Sequence, residues 1–274
     1  MRRVLLRPKV AVVVMLSMMR SLLYRLAKSN LMLAATLATI ACSCVLAFVI
    51  WLSQQPQLGL DNIIEGDISQ LTILQICGQS FVSGSFLAMV TGVFVASFIA
   101  ADFKTGYIKN YLQVRGGRMS YAVASVVIAI IASIWFLLVA MVATIVTLPL
   151  VGQSYLIPSI DDIASWILQV ALVISAYAVI AVLLVALTKS STVGSIAAIL
   201  LGGAAVETMM NLILSNIPGA PYALRTCMDY YLAMDLSALA AGDITGMGAF
   251  VEGGLTLIVA AILLVIAMRR RSLA

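Results

Sequence analysis

Six long runs of apolar residues constrain this sequence more than any other feature. A backbone in hydrocarbon must satisfy its own hydrogen bonds, so a helix of roughly 20 apolar residues is the unit that crosses a bilayer. Apolar residues make up 63% of the chain and charged residues 10%, whereas soluble domains carry about a quarter charged residues. We therefore predict an all-α membrane protein, with residues 1–274 forming a single transmembrane domain whose six spans lie within 31–268. The predicted spans are Leu31–Ser53, Leu71–Ala101, Ser120–Leu150, Ala164–Leu187, Gly194–Leu214 and Ala249–Met268.

The positions of the basic residues predict an orientation. Of the 16 Lys and Arg residues, all but Arg225 fall in four segments between or beside these runs: the N-terminal stretch, Lys104–Arg118, Lys189 and Arg269–Arg271. The intervening loops carry acids instead. Because basic loops remain on the cytoplasmic side, we expect both termini to be cytoplasmic. The net charge of +5 is then a topology signal, and we expect lipid rather than nucleic acid as the partner.

The residue types present leave little room for catalysis. The chain has no histidine, which excludes histidine-based acid/base chemistry, imidazole metal ligation and Ser-His or Cys-His nucleophile pairs. Every aspartate lies in a loop or at a span boundary, so a pair of intramembrane catalytic aspartates is not available. The Gly-x-x-x-x-Gly-Lys-Ser/Thr phosphate loop does not occur. We predict no catalytic residue, no metal site and no enzymatic activity in this chain, and any use of ATP would need a separate polypeptide.

The first 30 residues predict an amphipathic helix at the membrane interface. From Met15 to Lys28, the polar residues at helical spacing include Arg20 and Arg25, whereas Leu22 and Leu26 lie on the opposite arc. This pattern is typical of a helix whose basic face meets anionic headgroups. The alternative is that these charges only fix the topology.

The segment Asp102–Arg118 joins the second and third predicted spans and is the most distinctive part of the chain. It reads as an acid and an aromatic residue, then Lys-x-Gly-x-Ile-Lys-Asn, a short apolar stretch and an Arg before the next span. Gly106 and the pair Gly116-Gly117 permit breaks on either side of a short helix. Phe103, Tyr107 and Tyr111 recur every four residues as an aromatic stripe. The stripe either docks on a partner or lies at the membrane interface while the bases fix topology.

This segment resembles the permease subunits of ABC-2 type exporters, and the whole chain resembles them in outline. The resemblance implies that residues 102–118 form a coupling helix docked on a separate ATPase subunit, which would bind ATP and Mg. It also implies a second permease protomer, short outer helices within residues 215–248 and a bacterial cytoplasmic membrane location. The ATPase-coupling residues that it implies are Phe103, Lys104, Gly106, Tyr107, Lys109, Asn110, Tyr111, Arg115 and Arg118.

Two predicted spans carry small residues at every fourth position, which permits close helix approach in lipid. We expect these residues to pack helices together, either within one chain or at a dimer seam. The helix-packing residues are Gly84, Ala88, Gly92 and Ala96 in the second span and Gly194, Ala198 and Gly202 in the fifth.

Polar residues at membrane depth predict a substrate pathway, because such side chains face protein or water and often mark transport routes. Gln75, Gln79 and Ser83 lie on another face of the second span, and Glu207 and Asn211 lie in the fifth. An internal hydrogen bond, or a pair between Glu207 and Arg225, is the structural alternative. The apolar run near Leu236 is too short to cross the bilayer, so we expect a partly embedded or capping helix there.

The function implied by the resemblance is ATP-driven export by a permease dimer on two ATPase subunits. Small permeases with this layout accompany antimicrobial-peptide self-protection or drug efflux, which favours an amphipathic peptide, drug or lipid-like substrate. Two other classes remain open: an ion-coupled secondary transporter that uses Glu207, and a membrane anchor or sensor that transports nothing.

Overall fold

A computed structural model describes residues 8–53, 70–108, 117–203, 209, 212, 232–244 and 246–270. Nearly all of these residues are helical, and no strand occurs among them apart from an isolated bridge between Thr72 and Leu156. The α-helices are α1 Pro8–Lys28, α2 Asn30–Ser53, α3 Ile73–Cys77, α4 Phe86–Lys104, α5 Gly117–Leu150, α6 Ile160–Thr188, α7 Ser191–Gly202, α8 Leu232–Ala240 and α9 Gly248–Arg270.

Five stretches are long and apolar enough to cross a membrane: Asn30–Val49, Ile73–Lys104, Gly117–Leu150, Ile160–Thr188 and Gly248–Arg269. The prediction of a helical protein with several spans is therefore confirmed. The fifth predicted span, Gly194–Leu214, is represented by α7, which has 12 residues. Because most of its remaining residues lie outside the described part of the chain, the sixth crossing stays a prediction.

The second predicted span differs from the continuous helix that we expected. After α3, one π-helical turn at Gly78–Val82 and one 3-10 turn at Ser83–Ser85 lead into α4. Gly84 and Ser85 both have positive φ, at 68° and 58°. Glycine adopts this conformation without steric cost, and the Ser-Gly-Ser sequence favours turns over helix. We did not predict this break from the apolar run, because hydrophobicity alone does not indicate backbone conformation.

The small residues of α4 and α7 meet in a regular antiparallel seam. A Cβ built on Gly92 would lie 2.6 Å from the Ala198 Cβ, and one built on Gly194 would lie 3.0 Å from the Ala96 Cβ. Farther along, a Cβ on Gly202 would lie 3.5 Å from the Ala88 Cβ. These stripes therefore pack within one chain. The helix-packing prediction is wrong for Gly84, which lies in the break with no atom within 4 Å of a built Cβ.

The helix ends separate into two groups, which we call the basic end and the acidic end. At the basic end, Lys104 Nζ donates to Ser191 Oγ at 3.2 Å, and Arg118 Nη1 donates to the Arg269 carbonyl at 3.3 Å. At the acidic end, the Ile73 N–H donates to the Leu156 carbonyl at 2.9 Å, which joins α3 to the segment between α5 and α6. The structure thus gathers at one end the segments that the charge pattern grouped together.

Candidate functional site

A buried carboxylate forms the centre of a polar cluster at the basic end. The Asp102 side chain is fully buried and forms an ion pair with Arg25 of α1. The Tyr121 hydroxyl of α5 donates to Asp102 Oδ2 at 2.9 Å. Asp102 therefore joins three helices at the point where the segment 102–118 begins. We call these three residues, with Ser21, Phe98 and Tyr107, the anchor cluster.

Two aromatic rings lie close to the guanidinium of Arg25. Its Cζ atom lies 4.4 Å from the Tyr107 ring centroid and 5.5 Å from that of Phe98, and rings at this range attract a cation. The Tyr107 hydroxyl lies 3.2 Å from Ser21 Oγ on α1. Partial burial lowers the pKa of Arg25, but its hydrogen bond and attraction to Asp102 outweigh that cost and raise the pKa. The guanidinium thus stays charged.

The anchor cluster corrects the prediction for the basic face of α1. We expected Arg25 to meet headgroups, but it faces protein because the buried Asp102 needs a cation. Met18, Leu22 and Leu26 are buried on the same helix. The aromatic stripe also turns inward at two positions, since Tyr107 packs on α1 and Phe103 packs against the core.

Other residues of the predicted coupling segment remain accessible. Lys104 is exposed, and Gly106 adopts φ +70° with no atom within 4 Å of a built Cβ. Gly106 thus provides the backbone break expected of it. The predicted coupling residues outside the described part of the chain are Lys109, Asn110, Tyr111 and Arg115.

The short helix α8 packs against neighbouring elements at the acidic end, in a site that we call its seat. The apolar face of α8, which includes Leu232, Leu236 and Leu239, is buried. Its C-terminal turn closes at Gly242, where the Asp243 N–H donates to the Ala238 carbonyl at 3.1 Å and φ is +83°, as in a Schellman motif. A helix of nine residues is too short to span a membrane, so α8 agrees with the short, partly embedded or capping helix that we expected there.

Three side chains from neighbouring elements bind the carbonyls at the end of α8. Trp166 Nε1 donates to the Leu239 carbonyl at 2.9 Å, and Gln79 Nε2 donates to the Ala240 carbonyl at 3.4 Å. Gln169 Nε2 donates to the Ile244 carbonyl at 3.3 Å. Since the last carbonyls of a helix lack internal partners, these donors fix α8 to α6 and to the π-helical turn.

The predicted pathway residues have different surroundings. Gln79 holds α8, whereas Gln75 accepts from the Thr72 N–H at 3.0 Å and so forms a capping box at the start of α3. Ser83 is exposed in the 3-10 turn. Glu207 and Asn211 lie outside the described residues. Gln75 and Gln79 thus make hydrogen bonds within the fold, and Gln79 and Ser83 are the described members that remain exposed.

Sequence reasoning missed the residues that link distant segments. Asp102 carried a signal, because it is the only acid within the basic segments. Trp166 and Gln169 are three residues apart, so they share one face of α6, but hydrophobicity gave no reason to select that face.

An open apolar groove of about 440 Å³ lies between α2, α4 and α7. Its walls include Leu31 of α2, Phe86, Met89 and Val93 of α4, and Ile199 of α7, and Ser97 is its polar lining residue. A surface of this composition suits an acyl chain or another apolar group.

A comparison with protein-family models gave no match, and a comparison with curated proteins gave none either. The class of protein therefore follows from the fold. The described part of the chain has five apolar helical stretches long enough to cross a bilayer, packed around one core, as in a membrane-embedded helical protein.

Proposed function

We propose that this chain is the membrane-spanning permease subunit of an ATP-driven ABC-2 type exporter. The observation that carries the proposal is the ion pair between Arg25 and Asp102. It ties the amphipathic helix α1, the span α4 and, through Tyr121, the span α5 to the first residue of the segment that resembles a coupling helix. A force applied to that segment would act on three helices together.

In this proposal ATP and Mg bind a separate ATPase subunit, and two permease protomers sit on a pair of such subunits. Closure of the ATPases would push on the 102–118 segment. The rigid seam between α4 and α7 would carry that movement toward the acidic end, where the chain breaks at Gly84. The basic end faces the bacterial cytoplasm and the acidic end faces outward, as the positive-inside rule requires.

The proposed substrate is an amphipathic peptide, drug or lipid-like molecule. The apolar groove between α2, α4 and α7 supports this class, because it is open and its polar lining is limited to Ser97. A ligand with an apolar part could enter it from the bilayer.

The test is co-purification of the tagged chain from its native membrane with identification of bound proteins by mass spectrometry. An ATP-hydrolysing subunit is the expected partner. Gly106→Val should reduce its recovery at least severalfold, since φ +70° is strained for a β-branched residue. Membrane expression should persist, because Gly106 has open space around it.

A matched control uses Gly152, which has φ +76° and likewise no atom within 4 Å of a built Cβ. It lies at the acidic end, so Gly152→Val imposes similar strain but should leave ATPase recovery at the wild-type level. Equal recovery for both variants, or no ATPase in the wild-type sample, would remove the exporter assignment.

A proton-coupled secondary transporter is the second candidate. The observation that favours it is the pair of acids Asp235 and Glu252 at the acidic end, in addition to the earlier candidate Glu207. Purified protein in vesicles, with a pH gradient and no ATPase, discriminates between the two candidates: substrate flux would favour the secondary carrier, and flux that requires ATP and the partner would favour the exporter.

A further inference from the structure

Two carboxyl groups converge where α8 meets α9. A Cβ built on Gly248 would lie 3.1 Å from Asp235 Oδ1 and 3.7 Å from Glu252 Oε1. The two carboxyl groups thus face each other where the helices meet, and Glu252 disfavours ionisation of Asp235. Two ionised carboxylates only accept hydrogen bonds, so a hydrogen bond between them needs a proton on one.

The other oxygen of each carboxyl group lacks a hydrogen-bond donor among the described residues. Asp235 Oδ2 and Glu252 Oε2 are both buried without a hydrogen-bond partner in the described part of the chain. A buried carboxylate oxygen without a donor favours the neutral acid, because ionisation there would be poorly solvated. Burial and the neighbouring Glu252 raise the pKa of Asp235 from 3.8 to about 7.

Within the described part of the chain, the elements packed on α8 supply no neutralising cation at this position. The π-helical and 3-10 turns hold no titratable side chain, and α3 holds only the buried thiol of Cys77. From α6, the nearby acids Asp161 and Asp162 add negative charge, and Tyr177 is buried farther along. On α9, Arg269 is 17 residues beyond Glu252, about 25 Å along the helix axis. The exposed Asp243 follows α8 itself.

We propose that Asp235 binds a proton beside Glu252 and that the two side chains form a pH-sensitive latch that fastens α8 to α9. With one proton bound, the pair holds the two helices together through a carboxyl-carboxylate hydrogen bond. When that proton leaves, two adjacent negative charges repel, and the first turn of α8 separates from α9. The donors at its other end, Trp166, Gln79 and Gln169, carry no charge and continue to hold the C-terminal turn. The latch therefore acts as a hinge opening at one end of α8.

The consequence is an acidic end whose closure depends on pH. Which side of the membrane this end senses rests on the proposed orientation, but the latch itself does not. A low pH on that side would keep α8 packed over the break in the second span. A higher pH would release α8 and expose that break.

Spin labels on the purified full chain in lipid nanodiscs test the latch. The native cysteines are replaced by serine, and labels are attached at the half-buried Met234, in the first turn of α8, and at the exposed Ile160 on α6. We expect a distance distribution that is narrower at pH 5 than at pH 7, broadens between these values and changes little above pH 7. Glu252→Gln and Asp235→Asn should each give a narrow distribution from pH 5 to 9, because neither leaves two charges to repel.

The control is Asp161→Asn, which removes an exposed acid at the same end and should keep the wild-type pH response. A wild-type distribution that does not change between pH 5 and 9 would overturn the latch. So would a wild-type pH response in the Glu252→Gln and Asp235→Asn variants. Because the measurement needs neither ATPase nor transport, its failure would leave the exporter proposal untouched.

Discussion

The two ends of the bundle bury carboxyl groups in opposite ways. At the basic end, Asp102 is fully buried and is matched by Arg25 and by the Tyr121 hydroxyl. At the acidic end, Asp235 faces a second acid, Glu252. The opposite charges make a contact that persists across ordinary pH, whereas the like charges make one that depends on a proton. The same residue type thus gives a permanent joint at one end and a conditional joint at the other.

The two ends also differ in how extensively a helix is held to the bundle. At the basic end, α1 contributes a buried apolar face and an ion pair, so the helix is held along several turns. At the acidic end, α8 has nine residues and depends on two side-chain donors at its last carbonyls and a third at Ile244, just beyond its end. Short elements with few contacts open at lower free energy than the core. The acidic end is therefore where we expect conformational change to begin.

The largest effect should come from breaking the anchor cluster. Arg25→Gln leaves the Asp102 carboxylate buried without a cation, and removal of one partner of a buried pair costs about 3–5 kcal/mol. The double variant Arg25→Gln with Asp102→Asn should recover most of that loss, because no uncompensated charge remains. Unfolding in detergent, followed by circular dichroism against temperature, measures both.

Arg20→Gln is the matched control, since Arg20 is exposed on the same helix. Its effect should stay within about 0.5 kcal/mol. If Arg25→Gln and Arg20→Gln were equally mild, Asp102 would not depend on Arg25, and the contrast between the two ends would fail.

The seam that connects the two ends should give the next largest effect. Gly92→Ala would bring two Cβ atoms to 2.6 Å, and overpacking of this kind costs about 1–3 kcal/mol. Adding Ala198→Gly returns the space and should restore stability. Gly254→Ala on α9, where a built Cβ meets nothing within 4 Å, should be neutral. A Gly92→Ala variant as stable as Gly254→Ala would show that α4 and α7 are not in tight contact.

Loss of one donor at the end of α8 should have a smaller and local effect. Trp166→Phe keeps an aromatic side chain but removes the indole N–H, so the buried Leu239 carbonyl loses its partner at a cost of about 1 kcal/mol, and the smaller ring adds a cavity. Hydrogen exchange should then accelerate in Leu232–Ala240 and remain unchanged in α1. Trp135→Phe makes the same substitution at an exposed ring on α5 and should leave α8 as it is. Equal acceleration in both variants would contradict a specific seat for α8.

The smallest expected effect is a pH dependence confined to the acidic end. The pKa of Asp235 rises from 3.8 to about 7 when α8 is seated, so the seated state binds more protons between those values. The stability of the seat is therefore fully present below about pH 4, falls as pH rises toward 7 and then levels off. Hydrogen exchange of α8, corrected for intrinsic rates, should show this loss. Exchange at α1 should not follow it, since Arg25 remains charged throughout.

The local sequence accounts for much of this architecture. Apolar runs of sufficient length predicted the spans, because a backbone in lipid has to close its own hydrogen bonds. The four-residue spacing of Gly92 and Ala96, like that of Gly194 and Ala198, predicted close packing, because helical periodicity places such residues on one face. The charge asymmetry grouped the loops that the structure gathers at each end. All of these signals are contained within one helix or one loop.

Tertiary structure decided the contacts that join distant segments. Arg25 and Asp102 are separated by 77 positions, and Trp166 and Leu239 by 73, so no local pattern could pair them. Whether the Arg25 side chain faces lipid headgroups or protein depended on the presence of a buried acid opposite α1. The π-helical turn that precedes the break at Gly84 packs on α8, whose Ala240 carbonyl fits against Gly78. The sequence of each helix determines which face it can bury. The pairing of polar side chains is decided when the helices pack, because only then are these side chains removed from water.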